Sequence, residues 1–196
     1  MGYKENIMLV VITGGSGSGK SKYAEEVAVD FLHTKFQNGR LYYIATMKSF
    51  DEETDKKIAR HQEMRKGKGF QTIECPIGLG SLNFSKKDVV LVECMSNLLA
   101  NEMYAKEGSI QSRTKEPLFF QQVKDAIVHP IFSLKEQAGC VVVVTNEVFS
   151  DGLHYSEESL IYIEGLGYIN QQLGQVADRV VEVVCGIPVW IKKKEL

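Results

Sequence analysis

The chain has 196 residues, 44% of them hydrophobic, and its 23 basic and 25 acidic residues give a net charge of −2. We expect residues 1–196 to form one globular domain, and the near-zero charge excludes an overall field that would attract nucleic acid or an anionic membrane. No apolar run approaches the ~20 residues needed to cross a bilayer, which predicts a cytoplasmic protein.

Six short apolar segments rich in β-branched residues predict buried strands. They lie at 7–13, 41–46, 89–93, 140–145, 180–185 and 188–193. Segments with helical character lie between them, at about 20–36, 51–66, 95–107, 117–137 and 157–177. This alternation predicts a doubly wound α/β domain with a mostly parallel central sheet. Because only Gly186 and Ile187 separate the last two strands, these should form an antiparallel hairpin.

Two further features bear on fold and compartment. The four cysteines are widely spaced and none falls in a C-x-x-C pair, so we expect neither a zinc site nor a disulfide framework. The most polar stretch, 107–117, is a candidate mobile loop.

The segment between the first strand and the first helix carries a phosphate-binding motif. It matches G-x-x-x-x-G-K-[ST] with Gly14, Gly15, Ser16, Gly17, Ser18, Gly19, Lys20 and Ser21. The glycines let backbone N–H groups converge on phosphate oxygens, and the helix N-terminus adds partial positive charge. Lys20 should reach the β- and γ-phosphates, and the Ser21 hydroxyl should bind Mg²⁺. We therefore expect GTP or ATP here; the alternative is a glycine-rich turn that happens to end in Lys-Ser.

Such a loop also requires a carboxylate at the end of a neighbouring strand to hold the metal ion directly or through water. Glu93 ends the segment VVLVE and is our candidate for both a catalytic and a metal-binding residue. Glu147, just after CVVVVTN, is the competing candidate.

Further short motifs follow the phosphate loop along nearly the whole chain. They are YIAT (43–46), Asp51-Glu52-Glu53, Ile58-x-x-His61-x-x-x-Arg65, Thr72-x-Glu74-x-Pro76, LVECMSNLLAN (91–101), VVTNEV (143–148), Gly167-x-x-Asn170-Gln171, Ala177-Asp178-Arg179-Val180 and Gly186-Ile187-Pro188. In this order they resemble the adenosylcobinamide kinase/adenosylcobinamide-phosphate guanylyltransferase family of cobalamin biosynthesis.

The resemblance implies a fold, a reaction and a set of partners. The fold would be that of a P-loop NTPase, a RecA-like three-layer sandwich, assembled as a homotrimer. The enzyme would phosphorylate the aminopropanol hydroxyl of adenosylcobinamide with a nucleoside triphosphate. It would then transfer GMP from GTP to that phosphate through a histidine that carries GMP as a phosphoramidate.

The guanylylated histidine of the family falls on His61. On a helix that begins near Asp51, a suitable N-cap, residues Ile58, His61 and Arg65 share one face. A neutral imidazole can attack the α-phosphorus of GTP while Arg65 neutralises phosphate charge. The resemblance also places Glu74 with the nucleotide. Without it, His61 would be interpreted as an exposed histidine on a polar helix.

Two departures from the family pattern concern positive charge. Family members typically carry Ala-Arg where this chain has Ser16-Gly17, and arginines where it has Glu157, Leu160 and Ile163. Because guanidinium groups are well suited to phosphate recognition, we expect the kinase half-reaction to be weakened. The alternative is that Lys22, Lys48 or Arg113 of the candidate mobile loop, from this chain or a neighbouring subunit, supplies the missing charge.

Three hypotheses about function follow from the sequence. The first is the cobinamide-pathway enzyme, which His61 favours. The second is a P-loop kinase of another small hydroxylated substrate, in which His61 has no covalent role. The third is a nucleotide-binding regulatory or assembly subunit, against which the intact Lys20 and Ser21 argue.

Overall fold

The computed structural model describes residues 7–49, 52–112, 116–150 and 155–194. Its strands are β1 (Met8–Thr13), β2 (Leu41–Ala45), β3 (Phe70–Glu74), β4 (Val89–Glu93), β5 (Cys140–Val144), β6 (Arg179–Val184) and β7 (Ile187–Lys193). Its α-helices are α1 (Lys20–Lys35), α2 (Glu52–Arg65), α3 (Met95–Tyr104), α4 (Pro117–Val123), α5 (His129–Gln137) and α6 (Glu157–Val176). A 3₁₀ turn spans Leu79–Ser81. None of the helices in these ranges is long and apolar enough to cross a bilayer.

The strands form one sheet in the order β3-β2-β4-β5-β1-β6-β7. All neighbours are parallel except β6 and β7, which are antiparallel. Helix α1 packs on one face through Ala24, Ala28 and Phe31, and α3, α5 and α6 pack on the other. The predicted three-layer α/β fold with a parallel centre and a C-terminal hairpin is therefore confirmed.

Strand β3 was not among the predicted strands. It lies at the edge of the sheet, pairs only with β2, and its sequence FQTIE exposes three of its five side chains. An edge strand of this kind lacks the continuous apolar run that identifies the buried strands, so its pattern gave no signal.

Two predicted boundaries are shifted by local backbone chemistry. The hairpin turn falls on Cys185 and Gly186, which have φ values of 51° and 79°, rather than on residues 186 and 187. The helical segment 117–137 is divided by a π-helical stretch, Lys124–Val128, between α4 and α5. Because Pro130 has no N–H and its ring crowds the preceding turn, a regular α-helix cannot continue through this point.

Candidate active site

The phosphate loop joins the end of β1 to the start of α1. Gly14 has φ 151°, and a Cβ atom on it would lie 2.5 Å from the carbonyl oxygen of Val183. Gly17 and Gly19 have φ values of 73° and 91°, a region that favours glycine. The path of the backbone therefore requires glycine at these positions.

Lys20 is the buried cation of this loop. Its Nζ donates a hydrogen bond of 3.0 Å to the carbonyl oxygen of Gly15, so the amine is folded over the loop. Burial lowers the pKa of the Lys20 amine, and the nearby Cys94 and Glu93 partly oppose that shift. Ser21 follows in the first turn of α1 and is half-buried.

Distant parts of the chain brace the loop. Gly186 in the β6–β7 turn donates its N–H to the carbonyl oxygen of Ser18 at 2.9 Å. Glu147, after β5, donates its N–H to the carbonyl oxygen of Gly14 at 3.1 Å. The C-terminal hairpin thus helps to fix the shape of the phosphate loop, a role that no sequence pattern indicated.

Glu93 ends β4 and is buried, with 8% of its surface exposed. We expected the carboxylate on a strand directly beside β1, the strand that precedes the phosphate loop. In the structure β5 lies between β4 and β1. The residue after the adjacent strand, Glu147, uses its Oε1 to accept hydrogen bonds from the Phe149 N–H and the Ser150 hydroxyl. Glu93 Oε2 instead is buried and has no hydrogen-bond partner among the described residues, so this oxygen can accept a further contact.

His61 approaches Glu93 from α2. Its Nδ1 lies 3.6 Å from Glu93 Oε1, within ion-pair distance but longer than a hydrogen bond. The His61 side chain is 27% exposed, whereas the Glu93 side chain is 8% exposed. The imidazole therefore stands at the mouth of a pocket with one ring nitrogen turned towards a buried carboxylate.

Arg65 lies one turn beyond His61 on the same helix. Its guanidinium carbon is 3.5 Å from the centre of the Tyr43 ring, a cation–π arrangement. Arg65 is 7% exposed, and its Nη1 has no hydrogen-bond partner among the described residues. A buried donor of this kind is free to bind an anionic group.

The pocket itself brings together most of the candidate nucleotide contacts outside the loop. It is lined by Ile58, His61, Arg65, Glu74, Glu93 and Asn97, among others. The expected shared face of Ile58, His61 and Arg65 is present. The expected N-cap, Asp51, lies outside the described residues, as does Arg113 of the candidate mobile loop.

Three polar residues next to this pocket were missed by sequence reasoning. Thr46 Oγ1 accepts a hydrogen bond from the Cys94 N–H at 2.7 Å and donates one to the Cys94 carbonyl oxygen at 2.9 Å. Asn146 Nδ2 donates to Ser96 Oγ at 2.7 Å. These bonds link the ends of β2, β4 and β5. Each residue closely follows a buried strand, and this position was the sequence feature that could have identified it.

Known protein families and individual proteins resemble this chain over most of its length. A family profile described as "Cobinamide kinase / cobinamide phosphate guanyltransferase" matches residues 10–191. The chain is 30% identical over 189 residues to the "Bifunctional adenosylcobalamin biosynthesis protein CobU" of Salmonella typhimurium, with 94% of this chain and 100% of that protein covered.

Another relative and a solved structure extend the comparison. The Escherichia coli protein of the same name is 31% identical over 194 residues, again with coverage of 94% and 100%. The solved structure of an ATPase domain aligns with a TM-score of 0.50 at 10% identity, covering 92% of this chain and 70% of that chain, which indicates a shared fold. The family match spans most of the chain, and the chain belongs to the cobinamide kinase / cobinamide phosphate guanyltransferase family.

Proposed function

We propose that this protein phosphorylates adenosylcobinamide and then transfers GMP from GTP to adenosylcobinamide phosphate. The observation that carries the proposal is the meeting of His61 and Glu93 in one pocket, in a chain that also has a complete phosphate loop. A P-loop kinase without covalent chemistry would have no need of an imidazole aimed at this carboxylate. We treat residues 1–196 as one P-loop nucleotide-binding domain.

The phosphate loop is proposed to hold the triphosphate in both half-reactions. Backbone N–H groups of Gly14, Gly15, Ser16, Gly17, Ser18 and Gly19 would surround the phosphates. Lys20 would release the Gly15 carbonyl and turn to the β- and γ-oxygens. The contact with phosphate would then offset the burial that lowers the pKa of its amine.

Ser21 and Glu93 are proposed to hold Mg²⁺ together with phosphate oxygens. Their hydroxyl and carboxylate oxygens are hard ligands of the kind that Mg²⁺ prefers, and Glu93 Oε2 is a buried acceptor without a hydrogen-bond partner among the described residues. When bound, Mg²⁺ would neutralise charge on the phosphate oxygens.

His61 is proposed to be the nucleophile of guanylyl transfer. Its Nδ1 faces Glu93 Oε1, so the carboxylate would hold the Nδ1 proton and leave Nε2 free to attack. The Nε2–P bond forms at the α-phosphorus while the bond to the β-phosphate oxygen breaks and pyrophosphate leaves. An oxygen of adenosylcobinamide phosphate then attacks the same phosphorus, and the P–N bond breaks to restore the imidazole.

Arg65 and Glu74 are proposed to bind the nucleotide beside His61. The unpartnered Nη1 of Arg65 would pair with an α-phosphate oxygen. The Glu74 carboxylate lines the same pocket and, as an acceptor without donors when ionised, suits the N1–H and amino group of guanine. Adenine offers an unprotonated N1 in that place, so Glu74 would favour GTP as the donor of the nucleotidyl group.

The active protein is proposed to be a homotrimer in the cytoplasm. Edge strand β7 exposes Ile187 at 65% and Ile191 at 60%, and an apolar edge of this kind is usually covered by another chain. Three of the four cysteines are buried free thiols, which suits a reducing compartment. Light scattering should give the mass of three chains, and Ile191→Lys should lower it; an unchanged mass would place the interface elsewhere.

Incubation with α-³²P-labelled GTP tests the central claim. We expect an acid-labile, alkali-stable label on the protein, which is the behaviour of a phosphoramidate. The label should leave the protein when adenosylcobinamide phosphate is added. Absence of any protein-bound label under conditions where GTP binds would refute the covalent route.

A further inference from the structure

The described side chains of helix α2 do not form an apolar face that would fix its place on the sheet. Among its described side chains only Arg65 is buried, Ile58 and His61 are half-buried, and the remainder are exposed. Burial of apolar surface, which normally docks a helix on a sheet, therefore contributes little here. Because His61 is carried on this helix, polar and charged contacts, such as that of Arg65 with the Tyr43 ring, must contribute to where the imidazole stands.

An ion pair just beyond the helix supplies such a tether. Lys68 Nζ lies 2.6 Å from Glu25 Oε2. Glu25 belongs to α1, one helical turn after Ser21, and none of its surface is exposed. The pair therefore connects the segment just after the C-terminus of α2 to α1, the helix that begins at the phosphate loop.

The connection between Lys68 and α2 is short and hydrogen-bonded. The Lys68 N–H donates to the Arg65 carbonyl oxygen at 3.1 Å, and the Lys66 N–H donates to the Glu63 carbonyl oxygen at 3.1 Å. A displacement of Lys68 would therefore displace the last turn of α2, which contains Arg65 and adjoins His61.

Stability alone gives no reason for this pair. Glu25 is fully buried, its Oε1 has no hydrogen-bond partner among the described residues, and burial raises the pKa of its carboxyl, an effect that Lys68 opposes. Two other charged groups act on it, Glu93 and Arg65. Buried ion pairs of this kind often stabilise a fold no better than apolar residues of similar volume, but they do fix geometry.

We propose that the Glu25–Lys68 pair is a positioning device that holds α2 at a set distance from the phosphate loop and thereby sets the rate of GMP transfer to His61. The inference rests on the proposed function. Neither residue lines the pocket that holds His61 and Glu93, so the pair would act through the position of α2. A displacement of about 1 Å at a reacting group can lower the rate roughly 100-fold. A contact that fixes the position of α2 can therefore have a large effect on the rate of GMP transfer.

The test compares Lys68→Met with Lys66→Met. Lys66 is the matched control because, among the described residues, its Nζ pairs with Glu63 in the last turn of α2, at 3.7 Å, and both side chains are more than 70% exposed. We expect Lys68→Met to slow labelling of His61 by α-³²P-GTP about 10- to 100-fold at saturating GTP. The dissociation constant for GTP should change less than about threefold, since binding is dominated by the phosphate loop. Lys66→Met should behave as the parent does.

Three further results decide the interpretation. Lys68→Arg should restore most of the rate, because it keeps the cation. Glu25→Gln should slow labelling. The double variant Glu25→Gln/Lys68→Met should be only slightly slower than Glu25→Gln, since both substitutions remove the same ion pair. A labelling rate in Lys68→Met equal to that of the parent, or a loss of GTP binding in step with labelling, would overturn the proposal.

Hydrogen exchange separates this proposal from the function on which it rests. Amides of Ile58 to Arg65 should exchange at least about 10-fold faster in Lys68→Met than in Lys66→Met, with β1 and β4 unchanged. If the parent chain is never labelled, the proposed function has failed, and exchange still decides whether the pair holds α2. Equal exchange rates in the two variants would refute the claim that the Glu25–Lys68 pair holds α2 in place.

Discussion

His61 Nδ1 lies 3.6 Å from Glu93 Oε1, although one residue belongs to an exposed helix and the other to the buried end of a central strand. The contact joins the two chemical parts of the pocket, an imidazole and a carboxylate. At 3.6 Å the two atoms do not form a hydrogen bond, and His61 Nδ1 has no hydrogen-bond partner among the described residues. In the proposed mechanism, Glu93 would approach Nδ1 more closely, hold its proton and stabilise the positive charge that develops on the ring during attack.

Replacement of Glu93 by Gln should therefore slow guanylylation about 100-fold or more while the fold persists. The amide has the same shape but neither stabilises imidazolium nor binds Mg²⁺ well. Labelling by α-³²P-GTP over a range of Mg²⁺ concentrations measures the effect. Glu63→Gln is the control, because Glu63 is an exposed residue of α2 whose carboxylate contacts Lys66. Equal rates in the parent and Glu93→Gln would remove Glu93 from the mechanism.

Lys20→Ala should abolish productive triphosphate binding, because it removes the buried cation of the phosphate loop. Among the described residues the amine donates to the Gly15 carbonyl oxygen alone, so its loss should leave the melting temperature nearly unchanged. Titration calorimetry with GTP gives the measurement. Lys22→Ala is the control, since Lys22 is exposed and paired with Glu26. A Lys20→Ala protein that binds and turns over GTP normally would refute the assignment of the loop.

His61→Ala should eliminate the protein-bound GMP and leave phosphorylation of adenosylcobinamide measurable, because only GMP transfer uses the imidazole. Both activities can be followed in one preparation, by acid-labile label and by phosphorylated corrinoid. His129→Ala controls for loss of any imidazole, as His129 is an exposed residue paired with Asp125. Label retained on His61→Ala protein would move the nucleophile to another residue.

Gly14→Ala should destabilise the protein by about 1–3 kcal/mol and impair GTP binding, because the new methyl group would overlap a neighbouring carbonyl. The added Cβ would lie 2.5 Å from the Val183 oxygen and 2.7 Å from Ser18 Oγ. Gly174→Ala is the control: it lies in α6 with no atom within 4 Å of an added Cβ. It should gain about 0.5–1 kcal/mol from helix propensity. Thermal melts that rank the two variants in the opposite order would contradict the loop geometry.

The features that could be predicted from the sequence are those that depend on patterns in contiguous residues. The phosphate loop, the buried strands and the antiparallel hairpin each depend on a local pattern, and the structure has all of them. Strand β3 was missed because an exposed edge strand needs no apolar run. The exact hairpin turn was displaced by one residue because Cys185 adopts positive φ beside Gly186.

The pocket itself depends on long-range packing that no spacing reveals. His61 and Glu93 meet because α2 folds back over the ends of β2 and β4. The pairing of Glu25 with Lys68, and the bond from Gly186 to the Ser18 carbonyl, likewise join residues far apart in the chain. The family resemblance identified His61, but it did not show that Glu93 Oε1 lies opposite its Nδ1.

The last prediction concerns the arginines that this chain lacks. Glu157, Leu160 and Ile163, where the family resemblance leads us to expect arginines, lie in the first two turns of α6, and Leu160 is 38% exposed there. The kinase step moves a γ-phosphoryl group through a transition state with charge spread over its oxygens, where an arginine can be worth ~10³-fold or more in rate. In the proposed guanylyl transfer the reacting atom is the α-phosphorus, where the phosphate loop, Mg²⁺ and Arg65 would still neutralise charge.

We therefore expect turnover of adenosylcobinamide to be much slower than turnover of adenosylcobinamide phosphate by the same enzyme preparation. Leu160→Arg tests the cause, because it returns a guanidinium group to an exposed position of α6 without opening the core. It should raise the kinase rate and leave labelling of His61 by α-³²P-GTP unchanged, while Leu160→Gln, of similar length and no charge, should change neither. Comparable turnover of the two corrinoids by the parent chain would refute selective loss, and would mean that other cations neutralise the γ-phosphate.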